Sequence, residues 1–263
     1  MVNLRTYGGG PFGVAVIHGG PGAAGQMASV ARELARDGGV LEPLQTQASV
    51  DGQIEELKTV LEANADLPAI LVGFSWGAWL SYLCAAHHPG LVKKLILVSS
   101  APFEERCASG ILQTRLSRLN ADERREVQAM MEAMKDPNLA DADALLAQFG
   151  RLFAKADACD PLTLDSDELQ TSWSIHQSVW SEAAHLRSSG RLLDLGRRID
   201  CPVVAVHGDE DPHPAAGVRE PLAAVVNDFQ FVLLRNCGHT PWIERRARDT
   251  FYRVVREQLR AGT

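Results

Sequence analysis

The sequence predicts an α/β fold: a mostly parallel sheet of about six strands, helices on both of its faces, and a helical insertion in the middle of the chain. Three observations carry this prediction. Short runs rich in Val, Ile and Leu recur along the chain, and they are uniformly apolar, as strands covered on both faces must be. Helix-like segments lie between these runs, and such alternation builds parallel sheets. From about Phe103 to Gly196 no run of comparable quality occurs, and the pattern there is helical and amphipathic.

The expected strands are Val14–Ile17, Val40–Leu44, Ala69–Val72, Lys94–Val98, Val203–Val206 and Phe229–Leu234. Expected helices cover Met27–Arg36, then Val50–Ala63 with Ile54, Leu57, Val60 and Leu61 on one side, then Trp79–His87. The middle stretch reads "ADERREVQAMMEAMK", "ADALLAQFGRLFAK" and "DELQTSWSIHQSVWSEAAHLR", with Asp136-Pro137-Asn138 and Asp160-Pro161 as turn signals. The sheet resumes at "CPVVAVHGDEDPHP". A core from residues 1–102 and 197–263 is therefore expected, with residues 103–196 inserted as a helical cap.

A chain of 263 residues with 46% hydrophobic content suits one large domain with a sizeable core. The net charge of −7 and the lack of a basic cluster argue against nucleic acid and against anionic membrane surfaces as partners. The N-terminus does not read as a signal peptide, and no run is long enough to span a bilayer, so a cytoplasmic protein is expected. Five scattered cysteines with no C-x-x-C read as reduced thiols, neither a disulfide frame nor a zinc site.

The chemistry is concentrated in three short stretches. Gly73-Phe74-Ser75-Trp76-Gly77 stands where a strand meets a helix, the setting of a nucleophile elbow. A serine at so tight a turn has strained backbone angles, and glycines on either side leave room where side chains would collide. The helix N-terminus behind it favours developing negative charge. A base is needed, and His239 in "LLRNCGHTPWIE" follows the last strand, at the strand ends where α/β sheets place their sites. The carboxylate that orients it is expected at Asp211, with Asp209 and Glu210 competing in the same acidic turn. Gly20, in "HGGPG" at His18–Gly22, and Trp76 are expected to offer backbone N–H groups to an oxyanion.

HGGPG followed by G-x-S-W-G, with chain order Ser75, Asp211, His239, resembles the α/β-hydrolases, and among them the proline iminopeptidase-like branch. The resemblance implies a catalytic triad of Ser75, Asp211 and His239, an oxyanion hole at Gly20 and Trp76, no cofactor, and a small ester or amide substrate. Three departures accompany it. The iminopeptidases usually carry an Asp-Gln-Arg-Gly segment, where this chain reads "VLEPLQTQASVDGQ". They have Gly before the serine, where this chain has Phe74. Their sheet usually opens with an antiparallel hairpin, whereas only about a dozen residues precede Val14, too few for two strands of typical length. Six parallel strands in the order 2-1-3-4-5-6 are therefore expected, with Val40–Leu44 at an open edge that a loop covers or a second subunit pairs with as a homodimer.

Other readings belong beside these. His207, Asp209, Asp211 and His213 have donors for a divalent ion, but Pro212 and Pro214 stiffen the turn and one member is already used, so no metal is expected. Trp173, His176 and Trp180 share one helix face, which packs on the core, roofs a pocket, or does both. With Gly19 and Phe74 they are the candidate substrate contacts. Glu104, Glu105 and Glu182 have the charge to hold a substrate ammonium. Carboxylester hydrolysis and aminopeptidase action both remain open, as does a non-catalytic ligand-binding homologue.

Overall fold

A computed structural model describes residues 3–136, 139–162 and 169–261. Its strands are β1 Leu4–Tyr7, β2 Val14–Ile17, β3 Ala23–Ala24, β4 Val40–Pro43, β5 Ala69–Phe74, β6 Val92–Val98, β7 Gln170–Thr171, β8 Val203–Gly208 and β9 Phe229–Leu234. Seven of them form the main sheet in the order β1-β4-β2-β5-β6-β8-β9, and β3 pairs with β7 apart from it. The six strands from β4 to β9 are parallel and lie in the expected order.

The seventh strand corrects the expectation of six. No antiparallel hairpin forms, but Leu4–Tyr7 makes one strand, antiparallel to β4, with Arg5 opposite Glu42 and Tyr7 opposite Val40. Four residues are enough for one strand where two would not fit. The edge expected to lie open at Val40–Leu44 is thus covered by the chain's own N-terminal strand, and a homodimer has no free β4 to pair with. Glu42 is fully buried there, accepts the Tyr7 hydroxyl at 2.6 Å and faces Arg5 at 3.8 Å. Its carboxyl is pushed up, chiefly by that burial.

The helices are α1 Ala28–Leu34, α2 Val50–Asn64, α3 Trp76–His87, α4 Ile111–Ser117, α5 Ala121–Ala133, α6 Ala142–Asp157, α7 Trp173–Ser188, α8 Arg191–Asp194, α9 Ala216–Val225 and α10 Arg248–Arg260. Each sheet strand sends alternate residues to opposite faces. Ala15, Ile17, Leu71 and Leu97 meet α2, α3 and α9, while Val16, Val72, Ile96 and Val206 meet α1 and α10. All residues of α3 from Trp76 to Ala86 are buried, so the helix behind Ser75 is fixed by packing along its whole length.

The middle stretch divides by packing. Helices α4 to α6 share a small core of their own around Leu119, Val127, Met130 and Ala156. Helix α7 instead sends Val179 and Ala183 into the main core. It begins at Trp173, later than the helical pattern suggested, because Gln170–Thr171 is drawn into a strand against Ala23–Ala24. Pro137 and Asn138 of the expected turn, and Asp167 and Glu168 at the head of the third expected stretch, lie outside the described residues. Among the described residues no helix is long and apolar enough to cross a membrane.

Candidate active site

Ser75 is the hinge between β5 and α3, with φ 52° and ψ −114°, a conformation in which a non-glycine residue is strained. Its N–H donates to the Val98 carbonyl on β6 at 3.0 Å. The flanking glycines are required by close approach. A Cβ on Gly73 would lie 2.3 Å from the Gly77 carbonyl oxygen, and one on Gly77 would lie 2.2 Å from the Ile17 carbonyl oxygen. The two arms of the turn press on each other and on the end of β2, so any side chain there would push Ser75 out of place. Trp76 opens α3, where the first turn's N–H groups have no acceptor within the helix.

The loops after β8 and β9 bring Asp211 and His239 together. Asp211 Oδ2 accepts the His239 Nδ1–H at 2.8 Å, which leaves His239 Nε2 as a free acceptor. The ring of Phe74, one residue before Ser75, lies 4.9 Å from the His239 ring. Burial alone would raise the Asp211 carboxyl, but His239, His213 and His207 around it reverse this and hold it well below the usual carboxylate range. Burial likewise acts to lower His239, and Asp211 outweighs it, so the imidazole lies above its ordinary value. Asp209 faces elsewhere: it accepts Cys237 N–H at 3.2 Å and lies 3.6 Å from Arg235. Between the two aspartates the geometry selects Asp211.

A third imidazole completes this group. Asp211 Oδ1 accepts both the backbone N–H of His213 at 2.9 Å and its Nδ1–H at 2.8 Å. His207 donates its Nε2–H to the His213 carbonyl at 2.9 Å. Donor atoms of Asp211, His213 and His239 fall within 4.8 Å of one another, a set that differs from the His207, Asp209, Asp211 and His213 cluster weighed from the sequence, where no metal was expected. Both imidazoles aim Nδ1–H at the one carboxylate, so the three groups are already joined through protons. A cation at this point would have to displace both.

The HGGPG loop and the elbow are held from behind by two glutamines that sequence reasoning missed. Trp76 Nε1–H is shared between Gln45 Oε1 at 3.0 Å and Gln53 Oε1 at 2.9 Å. Gln45 also donates its backbone N–H to His18 Nε2 at 3.1 Å and its amide to the His18 carbonyl at 2.9 Å. One buried side chain therefore ties the HGGPG loop to the nucleophile elbow. Gln45→Leu is expected to lower kcat about ten- to a hundredfold with little change in KM, less than the ~10²–10³ for losing an oxyanion donor itself. A nitrophenyl-ester assay checks this, and an unchanged kcat would separate Gln45 from the site. Its sequence signal was faint, since it lies in the interval "PLQTQ", which drew notice only for lacking another family's segment.

His18 is fully buried, and that burial lowers its pKa from 6.5 to about 4. Since its Nε2 accepts from Gln45, its proton sits on Nδ1, which donates to the Gly19 carbonyl at 3.0 Å. A lowered histidine pKa means that the unfolded chain takes up a proton before the folded one does. Stability is therefore present above the unfolded value and lost as pH falls. From 6.5 down to 4, His18 alone should remove about 3 kcal/mol. His213, lowered to about 4 by its burial, acts in the same direction, and the raised His239 opposes it. The melting temperature is expected to fall across this window, and a level profile from pH 7 to pH 4 would contradict it.

The expected substrate contacts are placed as follows. Gly19 lies against Phe74 and Gln26, where a Cβ would come within 2.8 Å of both. Phe74 is buried between that loop and the ring of Trp242, 4.7 Å away. On α7, His176 Nδ1 donates to the Pro21 carbonyl at 3.1 Å, and Trp173 lies beside it with ring centroids 5.9 Å apart. Trp180 stacks on Trp79 at 6.1 Å and is 37% exposed. These are packing contacts, so the shared face of α7 holds the HGGPG loop and α3. Glu104 pairs with Arg106, Glu105 with Arg187, and Glu182 accepts the Val50 N–H at the head of α2. All five cysteines are free, and burial pushes the Cys237 thiol up, away from nucleophilic use.

The His239 loop is held from the side of α6. His239 N–H donates to the Asp157 carbonyl at 2.9 Å, and the Asp157 carboxylate takes two bonds from Arg115 on α4, at 2.6 and 2.7 Å. Glu244 is fully buried and accepts three backbone N–H groups, from Cys159, Asp160 and Gly238, at 2.7–3.0 Å. Arg115 and Asp157 were not foreseen, because they lie far from His239 in sequence on helices whose docking no pattern reveals, and Glu244, five residues after His239, has backbone partners that no pattern marks.

Sheet, elbow and the Asp211–His239 pair define a hydrolase of the α/β type. The chain belongs to the alpha/beta hydrolase family, which it matches over residues 3–252. It is similar, at 22% identity over 86% of its own length and 79% of the relative's, to a pimeloyl-[acyl-carrier protein] methyl ester esterase of Neisseria meningitidis. Among solved structures it resembles VinJ, with a TM-score of 0.72, 18% identity and coverage of 99% and 95% of the two chains. A proline iminopeptidase of Mycobacterium smegmatis is one of several further neighbours, with a TM-score of 0.65, 18% identity and coverage of 98% and 94%. At such identities these structures speak for the fold alone, so the iminopeptidase branch is one neighbour among several.

Proposed function

We propose that the protein is a serine hydrolase that cleaves a small carboxylic ester through an acyl-enzyme, with Ser75, His239 and Asp211 as its triad. The observation that carries this is the 2.8 Å bond from His239 Nδ1 to Asp211 Oδ2, which leaves Nε2 as the acceptor on a ring that lies 4.9 Å from Phe74, the residue before the strained Ser75 turn. In the first half-reaction His239 Nε2 takes the Ser75 hydroxyl proton as Oγ attacks the ester carbonyl. The backbone N–H groups of Trp76 and Gly20 receive the oxyanion, and Asp211 stabilises the imidazolium that forms. His239 then gives its proton to the leaving alcohol. In the second half-reaction water repeats the sequence and frees the acid.

Two observations favour the ester over an N-terminal aminoacyl amide. One of the relatives, matched over 86% of this chain, is named as a methyl ester esterase. The three acidic side chains that an ammonium group would need are each engaged elsewhere, at Arg106, Arg187 and the head of α2. In this reading residues 103–196 form the cap over the site, and Gly19, Phe74, Trp173, His176 and Trp180 shape its inner wall. The test is a panel of nitrophenyl esters of rising acyl length beside aminoacyl nitroanilides with free amines. Ester turnover with silent anilides is expected. Turnover of prolyl or aminoacyl anilides would move the reading to an aminopeptidase, and silence across the panel to a ligand-binding homologue.

A further inference from the structure

We infer that His213 is a positioning residue of the same site: its neutral imidazole holds the second oxygen of Asp211 and thereby sets the basicity of His239. The inference rests on the proposed triad and goes beyond it. A triad carboxylate needs one oxygen for its histidine, and the other must be satisfied by something else. Here a side chain does this along with the backbone. Asp211 Oδ1 accepts His213 N–H at 2.9 Å and Nδ1–H at 2.8 Å, while Oδ2 serves His239 at 2.8 Å. The carboxylate therefore bridges the Nδ1–H edges of two adjacent imidazoles whose ring centroids are 4.5 Å apart. His213 is itself anchored, since its carbonyl accepts the His207 Nε2–H. Burial keeps His213 uncharged, with its pKa lowered to about 4, so it donates a neutral hydrogen bond and adds no competing positive charge.

The consequence is electrostatic. A donor on Oδ1 draws charge away from Oδ2, and the His239 imidazolium is stabilised less than a bare carboxylate would stabilise it. His239 thus loses its proton at lower pH and is ready as a base over a wider range. Other groups also face the pair: His207 on β8, Asp157 at the end of α6, and Arg115 on α4. Asp157 acts to raise His239 and Arg115 to lower it, so His213 tunes a balance that these residues also share.

The test compares pH profiles of kcat/KM for an ester substrate in the wild type, His213→Leu and His213→Asn. Asn places an amide donor near the position of Nδ1, whereas Leu has none. In His213→Leu the acid limb is expected to move up by about one pH unit and kcat to fall about tenfold, with KM within about twofold. His213→Asn is expected to return the limb to its wild-type position. Identical acid limbs in wild type and His213→Leu would overturn the inference. So would a shift in His213→Asn equal to that in His213→Leu, which would mark a packing role. A second measurement needs no variant at this position. In Ser75→Ala, the ¹⁵N shifts of the histidine rings are expected to show His213 protonated on Nδ1 at neutral pH, and a proton on Nε2 instead would overturn the inference. Failure of the parent reading looks different: ester turnover that survives Ser75→Ala removes the triad itself, whatever His213 does.

Discussion

Ser75→Ala is expected to reduce ester turnover by at least about 10⁴-fold while leaving the melting temperature within a few degrees of wild type. The size follows from the proposed mechanism, in which without Oγ no acyl-enzyme forms and His239 has no proton to take. What remains is binding and an oxyanion site acting on water. The small structural effect follows from the position. Ser75 is held by its backbone, through the Val98 carbonyl and the turn that opens α3, and its side chain is not what fixes the strained φ of 52°. Alanine accepts the same strain. A fluorophosphonate probe should label the wild type at this residue and leave Ser75→Ala unlabelled. Turnover falling less than tenfold would place the nucleophile elsewhere.

Asp211→Asn is expected to cost about 10⁴-fold in kcat, with KM little changed. The carboxylate accepts three N–H donors, two on Oδ1 and one on Oδ2. An asparagine side chain has one oxygen and one amide nitrogen. The oxygen is best placed on the side of His213, where two donors converge, and the NH₂ then faces His239. A donor at that point forces His239 to turn its Nδ1 lone pair inward and carry its proton on Nε2. That tautomer cannot take a proton from Ser75. The same variant also removes the charge that supports the imidazolium, so both effects act in one direction. A loss below tenfold would mean that another carboxylate orients the base. Asp209→Asn serves as the control, and since Asp209 faces Cys237 N–H and Arg235 it should keep most activity.

Much of this site was legible because its chemistry demands local patterns. A serine in a strained turn leaves glycines at fixed distances, and uniformly apolar strands reveal a sheet covered on both faces. Val14–Ile17 and Phe229–Leu234 form strands with the bounds their apolar runs suggested. Where the pattern was weak the reading failed for physical reasons. Leu4–Tyr7 is too short to show a period, and it pairs through backbone bonds to β4 that any sequence can make. Gln45 and Gln53 carry no charge and no reactive atom, so nothing marks them until Trp76 is seen to share its N–H between them. His213 was visible as a donor, but its partner was set by the turn of two residues around Pro212 and not by composition.

The loop that carries Gly20 and the loop that carries His239 are both fastened to the inserted stretch. Ser172 N–H donates to the Gly22 carbonyl at 2.9 Å and His176 to that of Pro21, while Asp157 and the Glu244 contacts hold the other loop. The stretch between residues 103 and 196 is thus a keystone and no detachable module. Exchanging it for a relative's helices is expected to move the Gly20 and His239 loops as well. On the proposed reading, substrate range and rate are coupled through these hydrogen bonds, and single side-chain changes are the expected route to a new specificity.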